Sequence, residues 1–316
     1  MRCRLKPKQL NPVLVALLVT VLIVACQNNV VRQPNNSQLA DCWIVKHNLG
    51  EVCVPRTPKR LVSLDNITLA DASALGVPSV GVSLDDLLPE YLVAKNPDLE
   101  LVGRSEQPNL EKIFQLNPDL IMGIEFYVEP IFSQLSQIAP TAVGQWTGYP
   151  DWREYFDFVA HVLGKEKEAQ VVWASYNQRI NQLKIEIGDH LQDMEISLAY
   201  LYGNGITIDA GNSFAGSILE DLGIRQAKIQ VAVSGGVIPL SEERLDYLDT
   251  DILFLSVYRD EESENGLTNL QKKPLWNQLQ VVQNQQVYVV DPSIWRGGHP
   301  LAANLLLDEL EEYLLK

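Results

Sequence analysis

The side chains with chemical potential in this sequence are rings and guanidinium groups at the ends of apolar runs. Tyr258 and Arg259 follow the run 251–257, and Trp295 and Arg296 stand just beyond 287–290. Each pair sets an aromatic beside a cation. Tyr200 and Tyr202 are two residues apart in an extended segment, so they share one face. Trp146 and Tyr149 lie in a loop that leads into a long helical stretch. Such a set suits non-covalent capture: guanidinium forks take carboxylate-like oxygens, and ring faces cover apolar surface. Ordinary packing is the competing reading for every one of these side chains. Covalent chemistry finds no support. No Gly-x-Ser-x-Gly, P-loop, dinucleotide glycine fingerprint or His/Glu zinc motif occurs, so the sequence predicts a binding protein with no catalytic residue, not an enzyme. Gly203-Asn204-Gly205 and Gly235-Gly236 are too sparse to cradle phosphate and suit turns. His299, in a Gly-Gly-His-Pro turn, reads as a capping or surface histidine, with metal or haem ligation the rival.

The elements that must hold these groups alternate. Apolar runs at 60–64, 78–82, 99–103 and 119–123 read as strands, and the stretches 69–75, 110–116 and 128–138 as helices. Strand–helix–strand alternation with short links predicts a mostly parallel sheet with helices packed on it. From 151 to about 191 no strand interrupts. Helical spacing runs through Trp152, Phe156, Val159 and Leu163 to Gly164, then resumes from Glu168 for about 25 residues. The alternation then returns, with strands at 195–202, 205–208, 251–257 and 286–290 and a final helix at 300–315. The expected layout is two Rossmann-like α/β lobes joined by one long helix: 42–164, an interlobe helix 165–192, and 193–316. A single stiff helix resists hinge bending, so a largely preformed cleft is expected.

The N-terminal segment reads as an address. Arg2, Arg4, Lys6 and Lys8 precede an apolar run too short for a comfortable membrane span, as in a secretory signal over 1–25. Ile23-Val24-Ala25-Cys26 resembles the bacterial lipobox, which implies lipidation of Cys26. Residues 26–41 are polar and Asn/Gln-rich and read as a flexible tether. The remaining pair, Cys42 and Cys53, flanks two strand-like runs around Asn48-Leu49-Gly50. A disulfide across that hairpin is expected, in an oxidising compartment; a metal pair with His47 lacks a fourth ligand. Across 316 residues, 25 Lys and Arg face 40 Asp and Glu, for a net charge of −15, which disfavours nucleic acid as a partner.

As an ordered set, several runs resemble the periplasmic substrate-binding lipoproteins of ABC importers for ferric siderophores, with cobalamin- and haem-binding relatives. The matching runs include Arg60-Leu-Val-Ser-Leu-Asp65, Leu75-Gly-Val-Pro-Ser-Val-Gly81, Pro108-Asn-Leu-Glu111 and Leu116-Asn-Pro-Asp-Leu-Ile121. Ser213 to Gly223, Leu248 to Phe254, Pro274-Leu-Trp276, Val287 to Asp291 and Gly298 to Ala303 follow in the family order. The resemblance implies a monomer of the helical-backbone, metal-complex receptor type, with its ligand between two α/β lobes. The iron would arrive wrapped in its chelator, so no protein metal ligand and no resident cofactor are implied.

The resemblance also assigns roles. Arg104, before Pro-Asn-Leu-Glu, and Tyr127, after a strand, become ligand residues. Tyr200 and Tyr202 stand where many siderophore binders carry Arg. That substitution points away from highly anionic catecholates and towards a hydroxamate or citrate–hydroxamate complex. Haem or cobalamin is the alternative ligand, with Tyr127, Tyr200 or His299 available to a haem iron, and a chelatase-like enzyme is a more distant alternative. Glu111 and Glu243, one on each lobe, are implied to pair with arginines of an inner-membrane permease. As helix-starting acids they also suit the helix dipole without that role. The expected location is the periplasm, at a membrane surface through the lipid.

Overall fold

Short apolar runs bounded by turn residues become buried parallel strands, and the amphipathic stretches between them cover the sheets. The structure is a computed structural model and describes residues 42–84, 88–188, 194–203 and 205–315, the side chain of Tyr149 excepted. The expected signal, Cys26 and the tether therefore lie outside the described residues. The chain divides into 1–42, of which Cys42 alone is described, and a second unit of residues 43–316.

β1 (Cys42–His47) and β2 (Gly50–Pro55) form the expected hairpin, with Gly50 at φ 137°, a region that favours glycine. Cys42 and Cys53 are disulfide-bonded. β3 (Leu61–Ser63) is wholly buried and leads to α1 (Asn66–Ala74). Asp65 starts that helix: its carboxylate accepts the Thr68 amide at 2.7 Å and the Ile124 amide at 3.0 Å, tying the helix start to a neighbouring strand end. Then come β4 (Ser79–Val82), α2 (Glu90–Val93), β5 (Glu100–Leu101), the small pair β6 (Gly103–Arg104) and β7 (Gln107–Pro108), and α3 (Leu110–Gln115). β8 (Leu120–Ile124), α4 (Glu125–Val128), α5 (Phe132–Ile138) and β9 (Thr141–Gly144) complete this half. Its five strands lie in the order β5-β4-β3-β8-β9, all pairs parallel.

The single helix expected over 128–138 is a correction. The chain forms α4, then a 3-10 turn at Glu129–Ile131, then α5. Pro130 has no amide hydrogen to donate and tightens the chain there. The strand expected over 99–103 is likewise split into β5 and β6, with Val102 between them and Gly103, the first residue of β6, at φ 117°.

α6 (Trp152–Leu163) ends at left-handed Gly164, and α7 (Glu166–Ile187) follows. Its 22 residues make a rod about 33 Å long. The expected end at 192 falls outside the described residues; the helix itself stops at Ile187, before Gly188 at φ 60°.

The second half opens with β10 (Glu195–Tyr202) and the antiparallel β11 (Gly205–Asp209). Asn204 between them lies outside the described residues. α8 (Phe214–Leu222) is capped by Ser213. β12 (Arg225–Gln226), α9 (Lys228–Val231), β13 (Val237–Leu240), β14 (Ile252–Val257) and α10 (Glu261–Gln271) follow. The chain closes with α11 (Pro274–Gln278), α12 (Gln280–Gln283), β15 (Val287–Val290), α13 (Pro292–Trp295) and α14 (Pro300–Leu314). The sheet order is β13-β11-β10-β14-β15, with β12 also paired to β10, and β14 runs parallel to β10 and β15.

Polar ties join α6 and α7 to the second half. Trp152 donates its indole hydrogen to Ser217 at 3.1 Å. Asp221 of α8 receives Arg153 at 2.5 Å and the Tyr176 hydroxyl at 2.6 Å. Trp152 also packs among Tyr176, Ile180 and Phe214, whereas Phe156 and Val159, one and two turns on, pack with Leu61 and Leu120 of the first sheet. One helix thus contributes to both cores. The protein has a mixed α/β fold with one parallel sheet and one mixed sheet, in which β11 runs antiparallel to both β10 and β13.

Candidate functional site: a cleft lined with rings

Loops at the carboxyl ends of parallel strands are where such folds gather binding groups. Here they enclose a cavity of about 420 Å³ lined from both halves. The first half supplies Tyr91 of α2, Phe126 and Tyr127 of α4, and Trp146 beyond β9. The second half supplies Tyr258 beyond β14 and Ser293, Arg296 and His299 around α13. A smaller cavity of about 220 Å³ shares Thr147, Gly148 and Arg296 with it and is lined further on by Asp209 and Phe214. The two adjoin along Arg296 and are together called the recess.

Arg296 is the cation at the centre. Its guanidinium carbon lies 4.2 Å over the Tyr200 ring, a cation–π geometry, and Nη1 is 3.1 Å from Asp209 Oδ1. Tyr200 stacks on Tyr202 with centroids 5.6 Å apart and meets Tyr258 edge-on at 5.9 Å. Phe126, 70% exposed, meets Tyr127 edge-on at 5.2 Å. Trp146 is half-buried and stands edge-on to Tyr155. A recess walled by exposed ring faces beside a fixed guanidinium holds a bulky ligand by dispersion, quadrupole and charge-assisted hydrogen bonds.

The structure gathers some of the sequence candidates and separates others. Tyr127, Trp146, Tyr258 and Arg296 line the main cavity; Tyr200 lies under Arg296, and Tyr202 beside Tyr200. Trp295 points the other way. It is 2% exposed, stacks on Phe254 at 4.2 Å and donates its indole hydrogen to Glu309, leaving only an edge on the smaller cavity. Arg104 and Arg259 are exposed and line neither cavity. The side chain of Tyr149 lies outside the described residues. Glu111 at the start of α3 and Glu243 in the 3-10 turn Glu242–Leu248 are exposed, one on each half.

Tyr91, Phe126 and Asp209 were not legible as site residues. Tyr91 follows Pro-Glu with no strand before it, and Phe126 falls between the apolar run 119–123 and the helical stretch that starts at 128. Asp209 did carry a signal: it is a lone charge ending the apolar strand Gly-Ile-Thr-Ile-Asp.

His299 is buried, and both ring nitrogens are engaged: Nδ1 accepts the Ala302 amide at 3.1 Å, capping α14, and Nε2 lies 3.3 Å from the Tyr91 hydroxyl. Burial pushes its pKa down to about 3. Among the described residues no cluster of His, Cys, Asp and Glu is arranged to hold a metal ion, and no helix is long and apolar enough to cross a membrane. A larger hollow of about 820 Å³ lies within the second half alone, around α8 and α9, and no aromatic side chain lines it. The recess shared by both halves is therefore the better binding site.

The chain belongs to the periplasmic binding protein family, whose model matches residues 61–294. The "Probable siderophore-binding lipoprotein YfiY" of Bacillus subtilis is 29% identical, covering 98% of this chain and 99% of the relative. The "Fe(3+)-citrate-binding protein YfmC" of the same organism is 31% identical over 89% of each chain. Among solved structures, Staphylococcus aureus SirA complexed with staphyloferrin B superposes with a TM-score of 0.74 at 27% identity, covering 86% of this chain and 98% of that one.

Proposed function

We propose that this protein is the substrate-binding component of an ABC importer that captures a ferric siderophore in the shared recess and delivers it to an inner-membrane permease. The observation that carries the reading is the recess itself: rings from both halves beside the guanidinium of Arg296. A chelator that already fills the iron's coordination sphere needs such a surface and no protein ligand. The relatives named for a siderophore and for ferric citrate support the same class of cargo.

In this reading the iron complex is cargo, the protein has no resident cofactor, and its work is binding without catalysis. It acts as a monomer in the periplasm, held at the membrane surface through a lipid on Cys26. Hydroxamate or citrate–hydroxamate ligands fit a recess with one guanidinium and many rings better than a tris-catecholate does. His299 offers a haem iron no spare nitrogen, since both ring nitrogens are engaged.

The test is quenching of intrinsic Trp and Tyr fluorescence by a panel of ferric hydroxamates, ferric citrate, ferric catecholates, haem and cobalamin. Saturable quenching by a chelated-iron compound supports the proposal. A response confined to haem or cobalamin, or none at all, refutes it.

A further inference from the structure

The recess contains a charge that its proposed ligand does not require. Asp209 ends β11, is 5% exposed, and lines the smaller cavity beside Arg296. A carboxylate so removed from water needs a cation, and Arg296 stands 3.1 Å away. Arg296 borders both cavities, together with Thr147 and Gly148, and is the charged residue among the three, so the same guanidinium faces the ligand space and the internal acid. Among the described residues lining the two cavities, Arg296 and Asp209 are the charged ones. The remainder are rings, aliphatic groups, hydroxyls, amides and the buried neutral His299. The lining therefore carries a cation that could attract an anion and a carboxylate that cancels it.

We propose that Asp209 is a specificity-determining residue: as a built-in counter-anion to Arg296, it tunes the recess to ferric complexes with little or no net charge. The inference rests on the siderophore reading and deepens it. A tris-hydroxamate neutralises Fe(III) with its three hydroxamate charges and meets a recess of balanced charge. A ferric carboxylate complex with excess negative charge approaches Arg296 and meets the field of Asp209 at the same guanidinium, in surroundings where water screens poorly. Tyr200 completes the device. Its ring lies under the guanidinium and helps fix the cation where both acid and ligand reach it. Such repulsion against the wrong ligand discriminates without adding any contact to the right one.

The experiment compares the dissociation constants of ferrichrome, a neutral tris-hydroxamate, and ferric dicitrate, an anionic complex, at one pH and ionic strength. Wild type, Asp209→Asn, Asp209→Ser and Asp209→Glu are measured side by side. Removing the charge in Asp209→Asn or Asp209→Ser shifts the preference towards ferric dicitrate by about tenfold, while Asp209→Glu keeps the wild-type preference. The two charge-removing variants differ in size, so either one that folds gives the answer. A purely structural role lowers affinity for both complexes together and leaves their ratio unmoved, and that result overturns the proposal. If wild type binds neither these complexes nor any other chelated iron, the siderophore reading fails first, and the two failures are told apart by the wild-type measurement alone.

Discussion

The Tyr91 hydroxyl lies 3.3 Å from His299 Nε2 and 3.2 Å from the Ser293 carbonyl oxygen, joining the first half of the protein to the second at the edge of the recess. The direction of the chain follows from the cap. Nδ1 of His299 accepts the Ala302 amide, so the neutral ring carries its proton on Nε2. That N–H donates to the Tyr91 oxygen, and the Tyr91 O–H donates to Ser293. Each polar atom of the tyrosine and the imidazole is thereby satisfied where water is scarce. Burial and the nearby Asp291 carboxylate raise the Tyr91 pKa, so the hydroxyl remains a donor throughout the physiological range.

Replacing Tyr91 by Phe removes the clasp and keeps the ring. The buried Nε2–H of His299 then loses its acceptor. A loss of about 1–2 kcal/mol in unfolding free energy is expected, with the fold retained. Urea denaturation followed by circular dichroism reads it directly. A variant as stable as wild type would show that the clasp contributes nothing.

The histidine makes a separate prediction in pH. Its folded-state pKa, about 3, is depressed from an ordinary 6.5. The unfolded chain therefore binds the extra proton first as pH falls. The associated stability is fully present above about pH 6.5 and drains away towards pH 3, by about 3 kcal/mol at pH 4. Asn caps a helix as well and does not titrate there. His299→Asn is therefore expected to have a flatter stability curve than wild type between pH 6.5 and 4, measured as urea midpoints in a common buffer series. Parallel curves for the two proteins would exclude His299 as a source of acid sensitivity.

The contrast between Trp295 and Arg296 shows where the sequence stops being readable. Both follow β15, and a strand exit is a good place to look for ligand groups, since parallel strands deliver their ends to one edge. Between that strand and this pair, however, the chain forms α13, which Trp295 ends and Arg296 caps, so the two side chains leave a helix end in different directions and not in strand alternation. Arg296 consequently faces the recess and Trp295 the core. Alternation of strands and helices made the two sheets legible, because burial on both faces leaves unbroken apolar runs such as Leu120–Ile124. The short helices were less so: α2, α4 and α13 have four residues each, too few to show a period, and Tyr91, Phe126 and Trp295 lie on them. Asp209 was readable as an odd charge, but its partner lies 87 residues on and no local pattern joins the two.

The tie of α6 and α7 to α8 should matter to stability. Asp221 receives Arg153 from α6 and Tyr176 from α7, and the Tyr176 pKa is raised by burial and then by this bond to Asp221. Asp221→Ala leaves a half-buried guanidinium and a phenol without their shared acceptor. Because Arg153 and Asp221 are each about a third exposed (30% and 38%), the ion pair itself is discounted, and a loss of about 1 kcal/mol is expected. The Tyr176 bond is the less solvated part. Tyr176→Phe is therefore expected to reproduce roughly half of the loss, and a double-mutant cycle with Asp221→Ala to give a non-zero coupling. Additive effects would mean that the bond at 2.6 Å contributes no net stability.

Glu111 and Glu243 test delivery separately from capture. Both are exposed, one on each half, and neither lines a cavity of the recess. Glu243 is held below the usual carboxyl range by its own backbone amide and by Ser241. As helix-starting acids they need no further role. The docking role makes a demand that this bland one does not. Reversing both charges, Glu111→Lys with Glu243→Lys, is expected to abolish iron uptake in cells while the purified protein keeps its affinity for the ferric complex within about twofold, since the lost interactions are with the permease. Either single reversal should give an intermediate uptake rate, because one ion pair remains. Uptake unchanged in the double variant would exclude these two carboxylates as docking points. A fall in ligand affinity would place their effect in the recess.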